Sequence, residues 1–477
     1  MDSPQDQGSR VELTSTTLKV YKQRWFLLAT LCMLNLSNAL TWLAFGPVAF
    51  KAAGFYHTDV DTINWLSVIF MITGIPCGVV ATWLIDVIGL RFSVILGAWL
   101  NLIGCALRVV SAIPNLLLSA RLPLVFVGQT LAAFAQPFIL FAPTKLAALW
   151  FKEDQRAVAN MLATISNPLG IMLCNILSPI LLSTSSEMLL MLGVESIPAL
   201  LAVDMATFGW RSSKPPTPPS PSAETDSESF WVGIKSLFRN RQYWLLGWTV
   251  GAGVALFSVL TTLLSQILCP WGYSDFFVGV VCGSVLIGFG FVGSAIAGVI
   301  VDHTKRFTEI VKIGFAVAIL ALVAFAVLHN YTGQWVPLCF VCGVFGLFGI
   351  PVYPVGNELA VETTYPVGEA TSSGIVFMSG QLQGIILVLV MQSIGTPLSN
   401  TTAPKSLCNS DNLGNIPETN MSVPVYVMTA YAGLVGIVFL IFFRTKYHRH
   451  IAELGEDNDN CSGTAFHRGQ LSSNQEN

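Results

Sequence analysis

Apolar residues come in long runs separated by short polar intervals, and one interval differs from all the others. Six runs precede it, near 25–50, 62–86, 92–113, 121–146, 157–182 and 188–209, and six follow, near 243–269, 276–301, 308–329, 335–357, 370–395 and 424–444. A helix needs about 20 apolar residues to cross roughly 30 Å of hydrocarbon, so each run is long enough for one membrane span. The exceptional interval is 211–241, where WRSSKPPTPPSPSAETDSES (210–229) offers no periodic apolar face. Such a segment buries too little apolar surface to offset the entropy of ordering, so it reads as a linker. Its last part, Phe230, Trp231, Ile234, Leu237 and Phe238 interleaved with Lys235, Arg239 and Arg241, reads as a short interfacial helix. The expected organisation is a tail over 1–24, a six-helix bundle over 25–210, the linker 211–241, a second six-helix bundle over 242–446 and a disordered tail over 447–477. The fold class is then all-α: twelve transmembrane helices in two six-helix pseudo-repeat bundles.

Composition narrows the class. Of 477 residues 53% are hydrophobic and 11% charged, against roughly 25% charged in soluble domains. The mean hydropathy of +0.65 agrees, and a large soluble core is excluded on these grounds. The stretch up to Arg24 has no short apolar core with a cleavage site, so no removable signal peptide is expected. Most of the 10 cysteines, such as Cys32, Cys77, Cys105, Cys174 and Cys282, lie inside apolar runs without metal-ligand spacing and read as packing residues. Cys408, in the longest loop after the linker (396–423), is left open between paired and free.

Position of positive charge sets orientation. Lys19, Lys22, Arg24, Arg91, Lys145, Lys152, Arg156, the linker cations, Lys305, Arg306, Lys312, Arg444, Lys446 and Arg449 all fall on one side, against Lys51 and Lys405 on the other. The positive-inside bias places both termini and the linker in the cytoplasm. The sequons at Asn330, Asn400 and Asn420 fall on outside loops and are candidate glycosylation sites, although Asn35 and Asn460 match the pattern where a glycan could not reach. The plasma membrane is the expected location.

Two cytoplasmic loops at matching places share a motif, Gly78-x₇-Asp86-x-x-Gly89-Leu-Arg91 and Gly298-x₃-Asp302-His-Thr-Lys305-Arg306. An acid at a helix end followed by a base in a tight loop can pair with the neighbouring helix or its dipole, holding one access state closed. One copy is ordinary interfacial charge; two copies in matching places favour a gate. A third charged stretch, with Glu358, Glu362 and Glu369, closes the tenth run and opens the eleventh, and reads as a further gate. Two six-helix halves, a long central loop and this repeated motif resemble the major facilitator superfamily, which implies a solute site between the halves near the membrane midplane.

Polar side chains inside spans are costly and mark candidate pathways. In the first run Asn35, Asn38 and Trp42 share one stripe. The fourth has Gln129 and Gln136 on one face, the fifth Asn167-Pro168, the seventh Phe257, Ser258, Thr261, Thr262 and Gln266, and the eleventh Ser379, Gln381 and Gln383. The middle of the membrane holds almost no formal charge, the exceptions being Arg108, Glu195 and Asp204. Amides and aromatics without a mid-depth carboxylate suit a neutral or cationic solute, the cation held by aromatic faces.

The segments ELAVETTYPVGEATSSG (358–374), AQPFILFAPTKLAALWF (135–151) and ALTWLAFGPV (39–48) closely resemble the feline leukaemia virus subgroup C receptor-related family, solute carrier family 49. The resemblance implies transport of choline or ethanolamine, with heme export a weaker association given little His–Cys chemistry in the outside loops. It further implies that the choline-binding tryptophan is Trp42 and that the glutamines of helices four and eleven are Gln136 and Gln381. Where relatives carry a tyrosine in helix seven this chain has Phe257, and where they carry Asn-Gln in helix five it has Asn167-Pro168. The expected function is alternating-access, facilitative transport of a small organic solute through Trp42, Gln136, Phe257, Gln381, Asn38 and Asn167. A transporter-like receptor without flux is the alternative. No nucleophile–base pair, phosphate loop or metal-ligand cluster points to an enzyme. No cofactor, metal or nucleic-acid partner is expected, and the chain is expected to act as a monomer in the bilayer.

Overall fold

A computed structural model describes residues 19–217, 230–274, 276–304, 306–364, 367, 369–397 and 419–445. Sixteen α-helices are found among them: α1 Gln23–Leu43, α2 Ala49–Tyr56, α3 Val60–Val87, α4 Leu90–Ser111, α5 Leu118–Leu140, α6 Ala142–Trp150, α7 Glu153–Leu181, α8 Met188–Asp204, α9 Phe230–Arg239, α10 Arg241–Leu268, α11 Ser284–Thr304, α12 Phe307–Leu328, α13 Trp335–Gly349, α14 Val352–Thr364, α15 Glu369–Ile394 and α16 Ser422–Phe442. They assemble into 12 stretches long and apolar enough to cross a membrane.

The breaks inside spans have local causes. The first span, Gln23–Tyr56, is interrupted by a 3₁₀ turn at Gly46–Val48, where Pro47 removes a backbone donor. The fourth is split between α5 and α6 beside Pro143, and the tenth between α13 and α14 at Pro351. The eighth span begins as a π-helical stretch, Phe277–Gly283, that runs into α11.

Packing within the two halves repeats. α1 packs on α7 as α10 packs on α15; α4 on α5 as α12 on α13; α3 on α5 as α11 on α13; and α4 on α8 as α12 on α16. Each pairing in the first half thus recurs six spans later. The halves meet through α3 against α15, α7 against α11, and α10 against the Gly46–Val48 turn. An even number of crossings puts the start of α1, the linker and the end of α16 at one end of the bundle, here the linker end, and the Pro47 turn at the other, the far end.

The first seven linker residues are docked rather than free. Trp210 is fully buried, the Ser213 hydroxyl accepts from the Arg91 amide at 3.1 Å, and the Trp150 indole donates to the Ser213 carbonyl at 3.2 Å. Gly89 makes this approach possible: its φ is +111°, and the Ser213 hydroxyl lies 3.0 Å from where a Cβ would be. Residues 218–229 lie outside the described residues. α9 forms as expected, with Leu237 buried, Phe238 exposed and packed on Trp244, and Lys235 and Arg239 exposed.

One expectation about cysteines is corrected. Seven are free thiols, but Cys269, at the far end of α10, is disulfide-bonded. Its partner, like the loop cysteine Cys408, lies outside the described residues. The pairing was hidden because Cys269 closes an apolar run and so reads as packing.

Candidate functional site

The most buried spans are the first and seventh, with 72% and 83% of their central windows inside the protein. They are pseudo-repeat equivalents and line the seam between the halves. Trp42 on α1 is buried, and its indole N–H donates to the Ser67 carbonyl of α3 at 3.3 Å. Its ring packs in an apolar cluster with Met71 of α3 and Leu256 and Leu260 of α10, and half-buried Phe257 lies against the same cluster. Trp42 and Phe257 thus adjoin the same extended apolar core from opposite halves.

Two glutamine side chains approach the same glycine. A Cβ placed on Gly74 of α3 would lie 3.8 Å from Gln381 Cγ and 3.9 Å from Gln136 Oε1. Both glutamines are buried, 5% and 6% exposed respectively for Gln136 and Gln381. The Gln136 carbonyl oxygen is sealed from solvent and has no hydrogen-bond partner. A buried acceptor without a donor costs about 1–3 kcal/mol, so the position is one a ligand donor or water would stabilise.

The other intramembrane amides donate within the packing, although the carbonyl oxygens of Asn35, Asn38 and Gln129 are buried without a partner as well. Asn38 donates to Asn101 Oδ1 and to the Ala132 carbonyl, both at 2.9 Å, and Asn101 donates to Ser37. Asn35 reaches the Ile139 carbonyl, and Gln129 the carbonyls of Thr41 and Trp42. All of these bonds lie inside the first half, so Asn38 is turned away from the Gln136–Gln381 pair. Gln383 donates to the Trp248 carbonyl at 3.1 Å and to Ser379 at 2.9 Å, and accepts from Tyr431. Asn167 is half-buried on α7 and makes no described contact with the central pair. Arg108 of α4 and Glu195 of α8 are a second buried feature. The guanidinium sits 5.0 Å over the Phe45 ring, the carboxylate accepts from Ser178 at 2.7 Å, and Arg108 is the charge that acts on Glu195.

The far end is closed between the halves. Asn64 and Gln266 exchange two amide hydrogen bonds of 3.0 and 2.6 Å, and Ser265 donates to the Gly46 carbonyl at 2.8 Å. At the rim, Gln392 reaches the Asp61 carbonyl at 3.5 Å. A Cβ on Gly279 would lie 2.5 Å from the Asn175 carbonyl oxygen, so only glycine lets the π-helical stretch approach α7 this closely. Toward the linker end, Phe141 and Phe377 meet edge to face at 6.4 Å, with Gly78 against Phe141 and Met378. Asn64 and Gly74 went unremarked in the sequence. Asn64 carried a signal, being a polar residue within an apolar run, whereas Gly74 carried none.

Arg91 and Arg306 are exposed at the starts of α4 and α12, Glu358 is exposed and Glu362 buried on α14. Asp86, Asp302 and Glu369 occupy helix positions whose side chains fall outside the description, and Lys305 and Asn400 lie outside the described residues. Asn330 is half-buried; its amide nitrogen, the atom a glycan would take, donates to Tyr426 Oη at 2.8 Å and to the Ala326 carbonyl. Asn420 Oδ1 caps α16 by accepting from the Ser422 amide at 2.9 Å, and its Nδ2 has no described partner.

Comparison with known proteins decides the family. The Major Facilitator Superfamily profile matches residues 28–388. The chain belongs to the major facilitator superfamily. Within it the chain belongs to solute carrier family 49: it is 45% identical over 435 residues to Solute carrier family 49 member A3 of Danio rerio, covering 91% of this chain and 90% of the relative. The choline/ethanolamine transporter flvcr2b of the same fish is 30% identical over 403 residues, covering 81% of this chain and 82% of that one. Among solved structures, the inward-open conformation of the xylose transporter XylE from E. coli superposes with a TM-score of 0.63 at 12% identity, covering 90% of this chain and 99% of that one. As a superfamily member the chain is a multi-pass membrane transporter, and the central amides occupy the seam between its two halves.

Proposed function

We propose that this transporter moves a small organic cation of the choline or ethanolamine kind by facilitative alternating access. The observation that carries the reading is the orphaned Gln136 carbonyl oxygen, buried opposite Gln381 across Gly74. A hydroxyl or ammonium N–H of the solute would supply the missing donor. The faces of Trp42 and Phe257 would attract the cationic head, each cation–π contact being worth about 0.5–2 kcal/mol. Relatives at 28–30% identity that are named choline/ethanolamine transporters support the same class. Phe257 offers a π-face without a hydroxyl, so hydrogen bonding to the solute falls to the two glutamines.

In this reading the linker end is cytoplasmic and the membrane is the plasma membrane. The bias of Lys and Arg supports that orientation, and so does the Cys269 disulfide at the far end, since disulfides persist in oxidising compartments. The charges at the linker end, Asp86 with Arg91, Asp302 with Lys305 and Arg306, and Glu358, Glu362 and Glu369, are assigned to the gate on that side. Uptake of labelled choline and ethanolamine by cells expressing the parent or Trp42→Ala tests the proposal. Uptake above a vector control that collapses in the variant is expected. Equal uptake in both would remove Trp42 from the site, and binding without uptake would make the protein a receptor.

A further inference from the structure

We propose that Asn64 and Gln266 form the far-end gate, a neutral amide latch that must open for solute to pass on that side. The inference rests on the transport reading of the central site, but its tests do not need a solute.

The two residues are 202 positions apart and join α3 of the first half to α10 of the second. Each is 2% exposed, and each amide both donates to and accepts from the other, at 3.0 and 2.6 Å. The flanking bond from Ser265 to the Gly46 carbonyl fixes α10 to the Pro47 turn one residue away. No other amide pair in the described residues bridges the halves reciprocally, and the bond lies on the far-end side of Trp42 and the glutamines. A solute at Gln136 can leave toward that end only if the halves separate here.

The chemistry of the latch sets its behaviour. Both amides are satisfied when closed, and water can satisfy both when the far end opens, so the pair by itself adds little to the free-energy difference between the two states. Substituting one partner with an apolar residue leaves the other buried and unpaired in the closed state alone. The population then moves toward the far-end-open state, roughly tenfold for one lost partner. Neither amide titrates, so breaking the latch itself needs no proton, which separates it from an acid–base gate; the nearest titratable groups on its elements are Asp59 and Asp61 at the start of α3.

Thr262 is the reporter. It lies one turn from Gln266 toward the linker end, on the same face of α10, and is fully buried with its hydroxyl unpartnered. The full-length protein in nanodiscs, carrying Thr262→Cys, is labelled with a bulky maleimide and compared with the parent to subtract native thiols. Labelling is expected to be roughly tenfold faster with Asn64→Leu or Gln266→Leu, and several-fold faster with the milder Gln266→Asn should the leucine variants fail to fold. Maleimide attacks the thiolate, so each rate is taken as a ratio to that of the Thr262→Cys protein at the same pH; between pH 5 and 8 this ratio should be flat for Gln266→Leu. It should rise with pH in Asn64→Asp, where ionisation buries a charge that only the open state hydrates.

In a second arm, Asn64→Cys/Gln266→Cys is oxidised and the 218–229 segment is cut at an inserted protease site. The halves should stay joined on a non-reducing gel only in the double variant. Labelling unchanged by Asn64→Leu and Gln266→Asn, or halves that never join, overturns the latch. Faster labelling in a protein that moves no solute leaves the latch standing and overturns the transport reading.

Discussion

Gln136 and Gln381, 245 positions apart and in opposite halves, converge on the same glycine, Gly74 of α3. Atoms of both side chains lie within 4 Å of where a Cβ on that glycine would be. A methyl there would make ordinary van der Waals contact with both, whereas a larger side chain would fill the gap. Gly74→Ala should therefore retain uptake and gain helix stability of about 1 kcal/mol. Gly74→Leu should abolish uptake while the protein still folds. Solute uptake measured beside thermal unfolding in detergent separates the two outcomes.

Gln381 and Gln383 are two residues apart and chemically identical, yet they do different things. Gln383 ties α10, α15 and α16 together through Trp248, Ser379 and Tyr431. Gln383→Leu should destabilise the fold by about 1–2 kcal/mol, a lower Tm with the affinity of the remaining folded protein little changed. Gln381→Leu should leave Tm in place and weaken solute binding. The reverse pattern would exchange their roles.

Arg108 and Glu195 are both buried in the first half but form no direct ion pair: Arg108 Nε and Nη2 and Glu195 Oε2 have no partner. Two groups that act on each other without contact are coupled more weakly than a buried ion pair, by about 0.5–3 kcal/mol. Arg108→Met and Glu195→Gln should each lower Tm, and the double variant should recover part of the loss. Additive losses in a double-mutant cycle would show that the two do not act as a pair.

His329, just beyond the end of α12, is fully enclosed, and burial lowers its pKa from 6.5 to about 4. The folded protein resists protonation that the unfolded chain accepts. Stability is thus complete above pH about 6.5 and falls as pH drops toward 4, where the folded form begins to take the proton as well. His329→Gln should remove this slope from Tm measured between pH 7 and 4.5.

Asn330 spends its amide nitrogen inside the fold, on Tyr426 and Ala326. Asn330→Gln should leave the mobility shift produced by glycosidase treatment unchanged, while Asn420→Gln should reduce it. The gel comparison checks both.

The twelve spans were legible from the sequence because hydrocarbon thickness demands a minimum apolar length, and no other residue needs to be consulted to satisfy it. The observed spans start and stop within a few residues of the apolar runs, except where helices outlast them, as in the first span through Tyr56 and the tenth through Thr364. The docking of Ser213 under Gly89 was not legible, since it depends on a backbone 122 positions away. Nor could the sequence rank its amides. Asn38, Gln129 and Gln383 look as available as Gln136 and Gln381, because burying any amide in hydrocarbon carries the same cost until its partner is known. Tertiary structure supplied acceptors for the amide donors within each half, left the carbonyl oxygens of Asn38, Gln129 and Gln136 without a donor but only that of Gln136 beside Gly74 at the seam, and set Asn64 against Gln266 at the far end. The sequence by itself determined how many times the chain crosses; the packing of one half on the other decided which polar groups were left to meet a solute, because only there do two independently folded surfaces face each other.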